Sequence, residues 1–305
     1  MNHLNFDEYL DKVRGCWAGK NIGGTLGAPM EGEMKTHNVT FYTQELNGIP
    51  APNDDLDLQL IWLAAVETRG LEQLSPRLMG EFWDHIIAPC GEYNNCRLNI
   101  DNGLLPPLSG AVNNDRLKYS NGAWIRSEIW ACLCPGAPDE AIRYAYIDSC
   151  ADHCLEGIYA EMFTAALEAA AFLESDFRKL IAIALGKIPA DSKLAAAVEL
   201  VLKSHKDGDD WLTVRNAVMK TVDIEDYRAA VNLAFVVIGL LYGDGDFGKS
   251  ICTAVNCGDD TDCTGATVGA IYGIVHGRQA IPEKWLAPRS EEHTSELQSR
   301  SDHVC

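Results

Sequence analysis

Apolar side chains recur every three or four residues along most of this chain, which is the spacing of a helix with a buried face. The pattern predicts helices over residues 6–19, 55–69, 75–87, 123–132, 138–149, 155–174, 176–186, 191–205, 209–221, 226–242, 246–254 and 262–276. Pro138-Asp139-Glu140 is typical of a helix start, and Gly70, Gly186 and Gly277 are typical of helix ends. No segment alternates between apolar and polar residues as half-buried strands do. We therefore expect an all-α fold, a compact domain of many helices.

The segment from residue 87 to residue 121 departs from this pattern. It contains Pro106-Pro107 and several Asn and Gly residues, which favour turns over regular structure. We expect a long, irregular excursion over the surface there. No internal repeat, low-complexity linker or clear domain boundary interrupts the rest, so the pattern predicts a single domain over residues 1–288.

Composition narrows the cellular setting. The chain is 47% hydrophobic over 305 residues, yet no apolar run is as long as a membrane span and no basic region precedes a hydrophobic stretch at the N-terminus. A net charge of −19 argues against binding to nucleic acid or to anionic membranes. The eleven cysteines are expected to be free thiols in a reducing cytoplasm. A metal site of Cys150, His153 and Cys154 on one helical face is a less favoured alternative.

Two acidic clusters stand out, each at the start of a predicted helix. The first is Asn53-Asp54-Asp55-Leu56-Asp57, and the second is Gly258-Asp259-Asp260-Thr261-Asp262-Cys263. A single Asp at a helix start is usually an N-cap, but two or three close together repel one another and favour a counter-ion. Carboxylates without His or paired Cys favour Mg²⁺ or Mn²⁺ over zinc. Two such clusters allow a pair of ions roughly 3.5–4 Å apart.

A glycine-rich segment near the N-terminus leads to a further acidic residue. Gly23, Gly24 and Gly27 precede Glu31 in a stretch that we expect to be irregular. These glycines could bring backbone N–H groups close to a phosphate, or they could allow two helices to approach closely, and the pattern leaves both open. Glu31 lies at the end of this stretch, and Glu33 is a second acidic residue close by.

Five segments, in order along about nine-tenths of the chain, resemble the ADP-ribosylglycohydrolase family, which includes the bacterial enzyme that removes ADP-ribose from arginine. These segments are Gly15-Cys16-Trp17-Ala18-Gly19 with Gly23 to Glu31, Asn53-Asp54-Asp55-Leu56, Asn121-Gly122-Ala123-Trp124-Ile125-Arg126, Asp152-His153 with Glu156-Gly157-Ile158-Tyr159, and Gly258-Asp259-Asp260-Thr261-Asp262-Cys263. One such segment would be weak support for membership. Five in the family's order are strong support.

The resemblance implies a site as well as a fold. It implies an all-α domain with a central cleft that holds two Mg²⁺ ions, with Mn²⁺ as a possible replacement, and it assigns metal-ligand positions to Asp54, Asp55, Asp260 and Asp262. It also places Gly122 and Arg126 in a segment expected to bind substrate, although a buried Arg that bridges helices would explain Arg126 nearly as well. Glu31 corresponds to an acidic residue near the scissile bond, which makes it the candidate for handling a proton in glycosidic cleavage, with Glu33 as the rival.

Three positions depart from the family pattern. Asn53 and Cys263 stand where the family uses Thr side chains as metal ligands, and Leu56 stands at a further Thr position. The Asn53 carbonyl oxygen remains a hard ligand, the Cys263 thiol is a soft one, and Leu56 offers none. These changes put full occupancy by two ions in question.

The resemblance implies an enzyme, a metal-dependent hydrolase that cleaves a glycosidic bond at C1 of ribose, with an ADP-ribosyl conjugate as the expected substrate. The first alternative is a glycosidase or nucleosidase acting on a small neutral riboside or other glycoside, which the net charge of −19 would suit better. The second is a non-catalytic binding or structural protein on the same fold, such as the lens crystallin that resembles this family. The sequence does not indicate an oligomeric state.

The last residues break the helical pattern. The run Arg289-Ser290-Glu291-Glu292-His293-Thr294-Ser295-Glu296-Leu297-Gln298-Ser299 resembles a translated sequencing adapter. We therefore interpret residues 289–305 as a non-native tail and leave them out of the reasoning about the fold.

Overall fold

The structure is a computed structural model that describes residues 4–46, 53–87 and 91–287. Fifteen α-helices lie within these residues. They are α1 Phe6–Gly27, α2 Asp54–Arg69, α3 Pro76–Ile86, α4 Asn94–Asp101, α5 Leu108–Ala111, α6 Glu128–Leu133, α7 Pro138–Ser149, α8 Glu156–Ala171, α9 Phe177–Leu185, α10 Lys193–Asp207, α11 Trp211–Thr221, α12 Arg228–Tyr242, α13 Phe247–Asn256, α14 Thr261–His276 and α15 Glu283–Leu286. The described residues contain no β-sheet, so the predicted all-α fold is confirmed. The predicted tail, residues 289–305, lies outside this part of the chain.

Most predicted helices agree with the observed ones to within two residues at either end, and three predictions need correction. Helix α1 continues to Gly27, eight residues beyond the predicted end, so the glycine-rich segment expected to be irregular is helical. The helix predicted over 123–132 is a 3-10 turn, Trp124–Arg126, followed by the short α6. The segment from 87 to 121 is not wholly irregular, since it contains α4 and α5.

Helix α1 persists through its glycines because it lies in backbone contact with α14. Gly15, Gly19, Gly23 and Gly27 recur every four residues on one face of α1, and Gly265, Gly269 and Gly273 do the same on α14. A Cβ atom on Gly19 or Gly23 would overlap the carbonyl oxygen of Gly269 or Gly265. Gly15 faces Gly273 and Gly27 faces Thr261, so the helices run antiparallel. Of the two roles left open by the sequence, close helix contact is the one the structure shows.

This antiparallel contact brings the end of α1 to the start of α14. The Thr261 hydroxyl, at the first position of α14, donates a hydrogen bond of 2.8 Å to the carbonyl oxygen of Gly27, the last residue of α1. Glu31 follows α1 by four residues, and Asp260 and Asp262 flank Thr261. Three of the acidic residues singled out in the sequence are therefore placed together by one helix pair.

The buried hydrophobic residues of the described chain form two cores. The larger is built around α8, α12, α13 and α14 and includes Phe163, Phe235 and Phe247. The smaller is built from α2, α3, α4, α6 and α7 and contains Trp62 and Trp83. Asp55 lies on α2, a helix of the smaller core, and Asp262 lies on α14, a helix of the larger core. No described helix is both long enough and apolar enough to cross a membrane.

We predict that Gly23→Ala destabilises the fold. Helix propensity alone would favour Ala by about 1 kcal/mol. The added Cβ instead overlaps the backbone of Gly265, which has no flexible end that could move aside, so the free energy of unfolding should fall by about 3 kcal/mol or more. Denaturant unfolding monitored by circular dichroism measures the change.

Gly186→Ala is the matched control. Gly186 has φ −67° at the end of α9, and the nearest atom to an added Cβ is 3.3 Å away. Its unfolding free energy should change by less than about 1 kcal/mol. Equal effects of the two substitutions would contradict the role assigned to the α1–α14 contact.

Candidate active site

A short backbone bridge fixes the loop that carries Glu31. Gly32 N–H donates to the carbonyl oxygen of Asp259 at 2.8 Å, and Asp259 N–H donates to that of Glu33, also at 2.8 Å. Glu33 and Asp259 thus form an isolated antiparallel bridge. The bridge holds the loop after α1 against the residues that precede α14, and it turns the carboxylate of Glu31 toward Asp260 and Asp262.

The backbone of Glu33 forms this bridge, and its side chain pairs with residues outside the triads. Its carboxylate pairs with the exposed ammonium of Lys35 at 2.9 Å and lies 3.7 Å from His37. Glu31, by contrast, offers a carboxylate oxygen within 4.8 Å of ligand atoms of Asp260 and Asp262. Glu31 is therefore the acidic residue of this loop that faces the candidate site.

The acidic residues form two groups that share one member. Asp55, Asp262 and Cys263 bring one ligand atom each within 4.8 Å of one another, and all three residues are buried. We call this group the inner triad. Glu31, Asp260 and Asp262 meet the same distance criterion, and Glu31 is exposed. We call this group the outer triad. Asp262 belongs to both, so two adjacent positions for a cation share a carboxylate.

The inner triad contains buried oxygen atoms without hydrogen-bond donors. Asp55 is fully buried, and neither of its carboxylate oxygens has a hydrogen-bond partner among the described residues. The Oδ1 atom of Asp262 is also buried without a hydrogen-bond partner among the described residues. Buried carboxylates are ordinarily paired or bound to metal, because leaving them unpaired is costly. The oxygen atoms of both triads therefore fit a hard divalent cation such as Mg²⁺ or Mn²⁺.

Burial also shifts the pKa values of these acids. It raises the pKa of Asp55 well above its usual range; Lys20 opposes this rise, and Asp262 and Asp54 add to it. Burial and the neighbouring Asp262 raise the pKa of Asp260 in the same way. A bound cation would reverse both causes, because it replaces lost hydration and offsets the mutual repulsion.

Asp54 and Asn53 lie outside both triads. Asp54 is exposed, and the Tyr93 hydroxyl donates to its Oδ2 atom at 3.2 Å. Asn53 is the N-cap of α2, because its Oδ1 atom accepts a hydrogen bond of 2.8 Å from Asp55 N–H. Neither residue belongs to a triad. Their assignment as metal ligands stays a prediction, and capping already explains Asn53.

Neighbouring side chains fix the start of α14. Asn121 donates from its amide nitrogen to Asp260 Oδ2 and accepts a hydrogen bond of 3.0 Å from Trp124 Nε1. Arg228 holds both carboxylate oxygens of Asp259 at 3.0 Å. Asp259 is therefore committed to Arg228 and belongs to neither triad. The sequence had indicated Gly122 rather than its neighbour Asn121, although both stand in the same family-like segment.

A buried lysine lies next to the inner triad. Lys20, on α1, donates to Glu128 Oε1 at 2.8 Å and to the carbonyl oxygen of Ile125 at 2.7 Å. Its ammonium nitrogen also lies 3.6 Å from Asp55 Oδ1. Sequence reasoning missed Lys20. A signal was present, because one lysine interrupts a helix face made otherwise of small and apolar residues.

The family model for ADP-ribosylglycohydrolase matches residues 5–304. The chain belongs to the ADP-ribosylglycohydrolase family. An uncharacterized protein of Archaeoglobus fulgidus is 26% identical over 303 residues, which cover 90% of each chain. A solved structure of an ADP-ribosylglycohydrolase-related protein complex has a TM-score of 0.70 at 22% identity, covers 96% of each chain, and shows the same fold.

Membership in the ADP-ribosylglycohydrolase family supports a glycosyl-hydrolase-type function for this chain. The family model does not identify the substrate or the metal. The predicted central cleft and the individual site residues remain predictions, and the triads are the structural features that bear on them.

Arg126 does not lie where substrate could contact it. The residue is fully buried, and its guanidinium donates to Asp148 at 3.0 Å and to Asp152 at 2.8 and 2.9 Å. It also donates to the carbonyl oxygen of Gly122, which is buried too. Direct substrate contact, the role expected from the sequence, therefore conflicts with this packing. The alternative weighed for Arg126, a buried Arg that bridges helices, agrees with it.

We predict that Asp262→Asn abolishes the thermal stabilisation produced by Mg²⁺, because Asp262 supplies a charge to both triads. Without metal, the variant should melt at or above the wild-type temperature, since one buried, repelled charge is gone. When the free ligand concentration is 100 times Kd, binding stabilises a protein by about 2.7 kcal/mol. The Asp262→Asn variant should lose this increment in Mg²⁺. Asp57→Asn, exposed in the first turn of α2 and outside both triads, is the control. Unchanged Mg²⁺ affinity in the Asp262 variant would refute the site.

We predict that Cys263→Thr strengthens Mg²⁺ binding, because it replaces a soft thiol of the inner triad with a hydroxyl of similar size. If the new ligand is worth as much as a hydrogen bond to a charged group, the gain is about 1.5–3 kcal/mol. Asn53→Thr should matter less, since the Asn53 amide oxygen is already hard and occupied with capping. Calorimetric titration of both variants decides this, and a larger effect at position 53 contradicts the account.

Proposed function

We propose that this chain is a metal-dependent hydrolase that cleaves the glycosidic bond at C1 of ribose in an ADP-ribosyl conjugate. The observation that carries the proposal is the pair of triads joined by Asp262, with buried carboxylate oxygens that lack donors among the described residues. An ordinary set of helix caps would not produce it, because Asp260 makes no capping hydrogen bond at the start of α14. Membership in the family supplies the reaction type.

The proposed cation ligands are Asp55, Asp262 and Cys263 on one side, and Asp260, Asp262 and Glu31 on the other. A divalent cation bound there supplies positive charge that can orient ribose hydroxyls and offset negative charge in the transition state. Asn121 keeps the Asp260 carboxylate in position through its amide hydrogen bond. The α1–α14 contact brings the loop of Glu31 to Asp260 and Asp262.

Glu31 is the proposed proton-transfer group. Its carboxylate is exposed, unlike those of Asp55, Asp260 and Asp262, so it can reach both water and a departing group. Glycosidic cleavage needs a carboxyl group that donates a proton to the leaving atom or accepts one from the attacking water. The same carboxylate is near enough to Asp260 and Asp262 to act as a ligand, and the Gln substitution below separates the two roles.

An anionic substrate needs local positive charge, because the chain carries a net charge of −19. Arg97 and Arg126 are both buried in ion pairs. The structure instead offers Arg228, whose side chain is 44% exposed beside Asp259.

A basic and aromatic surface continues from Arg228. The rings of Tyr119 and Tyr227 stack at 5.5 Å between centroids, with Lys118 over one ring and Lys193 over the other. Tyr119 precedes Asn121, which donates a hydrogen bond to Asp260 of the outer triad, by two residues, and Tyr227 precedes Arg228 by one. Lys118 pairs with Asp115 and Arg228 with Asp259, so Lys193 is the cation of this surface that would favour a phosphate-bearing substrate without an ion pair of its own among the described residues.

The second candidate is hydrolysis of a small neutral riboside or other glycoside. The acidic net charge and the thiol of Cys263 at a ligand position favour it, because both weaken the case for the usual substrate and cation. A purely structural role on this fold is less favoured, since Asp54, Asp55, Asp260 and Asp262 are all retained.

We predict that Glu31→Gln lowers kcat about 10²–10⁴-fold, as expected for loss of a general acid or base. Gln retains an oxygen ligand, so Mg²⁺ affinity should fall far less than in Asp262→Asn. Glu33→Gln, two residues away and paired with Lys35, is the matched control and should leave kcat near the wild-type value. Parallel losses of kcat and Mg²⁺ affinity would assign Glu31 to the metal instead.

The substrate is tested with a panel of arginine-, serine- and O-acetyl-linked ADP-ribose beside plain nucleosides and aryl glycosides. Release of ADP-ribose that depends on Mg²⁺ supports the proposal. Activity confined to nucleosides or aryl glycosides favours the second candidate. Metal binding without activity on any member favours a binding protein.

A further inference from the structure

The two triads differ in the fixed charge that lies next to them. Lys20 is 1% exposed and lies on α1 between Gly19 and Gly23, the glycines that contact α14. Because that glycine face is taken up by α14, Lys20 points toward α2 and α6. There its ammonium nitrogen lies 3.6 Å from Asp55 Oδ1.

Hydrogen bonds to other groups hold Lys20 in this position. It donates to Glu128 Oε1 at 2.8 Å and to the carbonyl oxygen of Ile125 at 2.7 Å. The second oxygen of Glu128 accepts a hydrogen bond of 2.8 Å from Gln59 Nε2. Gln59 in turn accepts one of 2.8 Å from Ile129 N–H. A cation entering the inner triad could therefore displace the ammonium only by breaking this network.

The charges around Lys20 do not cancel its effect on Asp55. Glu128 is its direct ion-pair partner, and Glu168 lies farther away. Burial and the neighbouring Glu128 raise the pKa of Glu168 well above its usual range, which favours its neutral form. Among the described residues, Lys20 is the basic side chain that forms an ion pair with Asp55. The pair of Lys20 and Glu128 thus presents its positive end to the inner triad.

The outer triad has a different environment. Neither Asp260 nor Asp262 forms an ion pair with a described Lys or Arg. Arg228 lies near Asp260, but its guanidinium is bound by both carboxylate oxygens of Asp259. The three oxygen-bearing residues of the outer triad are hard ligands, whereas the inner triad includes the thiol of Cys263.

We propose that Lys20 is a built-in counter-ion of Asp55, which makes the inner triad the weaker of two cation positions. This chain then binds one divalent cation tightly, at the outer triad, and a second one weakly. The inference rests on the proposed metal site and goes beyond it, because it assigns unequal occupancy and names the residue that causes it. Lys20 is a positioning residue, since it acts through Asp55.

The test is Mn²⁺ binding to the full chain, measured by equilibrium dialysis, with electron paramagnetic resonance to detect a second, neighbouring ion. The wild type should bind one Mn²⁺ at least about tenfold more tightly than the second, which corresponds to about 1.4 kcal/mol. Lys20→Met should strengthen the second binding step. Because that variant leaves Glu128 buried without its partner, the double variant Lys20→Met/Glu128→Gln is measured as well.

In the double variant the affinity for the second Mn²⁺ should rise about tenfold, while the affinity for the first should change far less. Lys12→Met is the matched control: Lys12 is on the same helix, but its ammonium binds the carbonyl oxygens of Ile274 and Val275 at the far end of α14. Two equal steps in the wild type, or a second step that is unchanged or weaker in the double variant, overturn the inference. A wild-type chain that binds no Mn²⁺ overturns the proposed function itself, and this inference with it.

Discussion

The backbone contact between α1 and α14 is the constraint on which the candidate site depends. Glycines spaced four residues apart on both helices remove the side chains that would otherwise hold the helices several ångströms apart. With the helices antiparallel, the end of α1 meets the start of α14, and Glu31 joins Asp260 and Asp262 at one place. The bridge between Glu33 and Asp259 then sets the loop conformation. A looser helix pair would leave the same residues in the same order without a shared site.

Buried charge is treated in two ways in this fold. Around Arg126 the acids are hydrogen-bonded, because Asp148 and Asp152 accept its donors directly, and the guanidinium lowers the pKa of Asp152 below its usual range even though burial alone would raise it. At the inner triad, Lys20 lies 3.6 Å from Asp55 Oδ1, but neither oxygen of Asp55 accepts a hydrogen bond in the described part of the chain. Asp55 and Asp262 combine such oxygens with positions in the first turns of two helices, and this combination favours a bound cation there.

Family membership and local chemistry answer different questions. Membership follows from the match over residues 5–304, agrees with the observed fold and supports a glycosyl-hydrolase-type function. The departures at Asn53 and Cys263, together with the buried Lys20, belong to this chain and concern how strongly each cation position binds. The basic and aromatic surface of Lys118, Lys193 and the two stacked tyrosines likewise belongs to this chain and concerns the proposed substrate.

The sequence by itself determined the all-α class, most helix bounds and the family, because helical periodicity and capping are local and the acidic segments are contiguous. It also indicated Glu31, Asp55, Asp260 and Asp262 through their residue types. It did not determine that α1 runs through its glycines, since isolated glycines weaken a helix and only contact with α14 offsets that cost. The roles of Arg126, Asn121 and Lys20 were likewise decided by tertiary structure, because each depends on partners from elements distant along the chain. A side chain's type limits which partners it can take, and the packing of the helices decides which of them it meets.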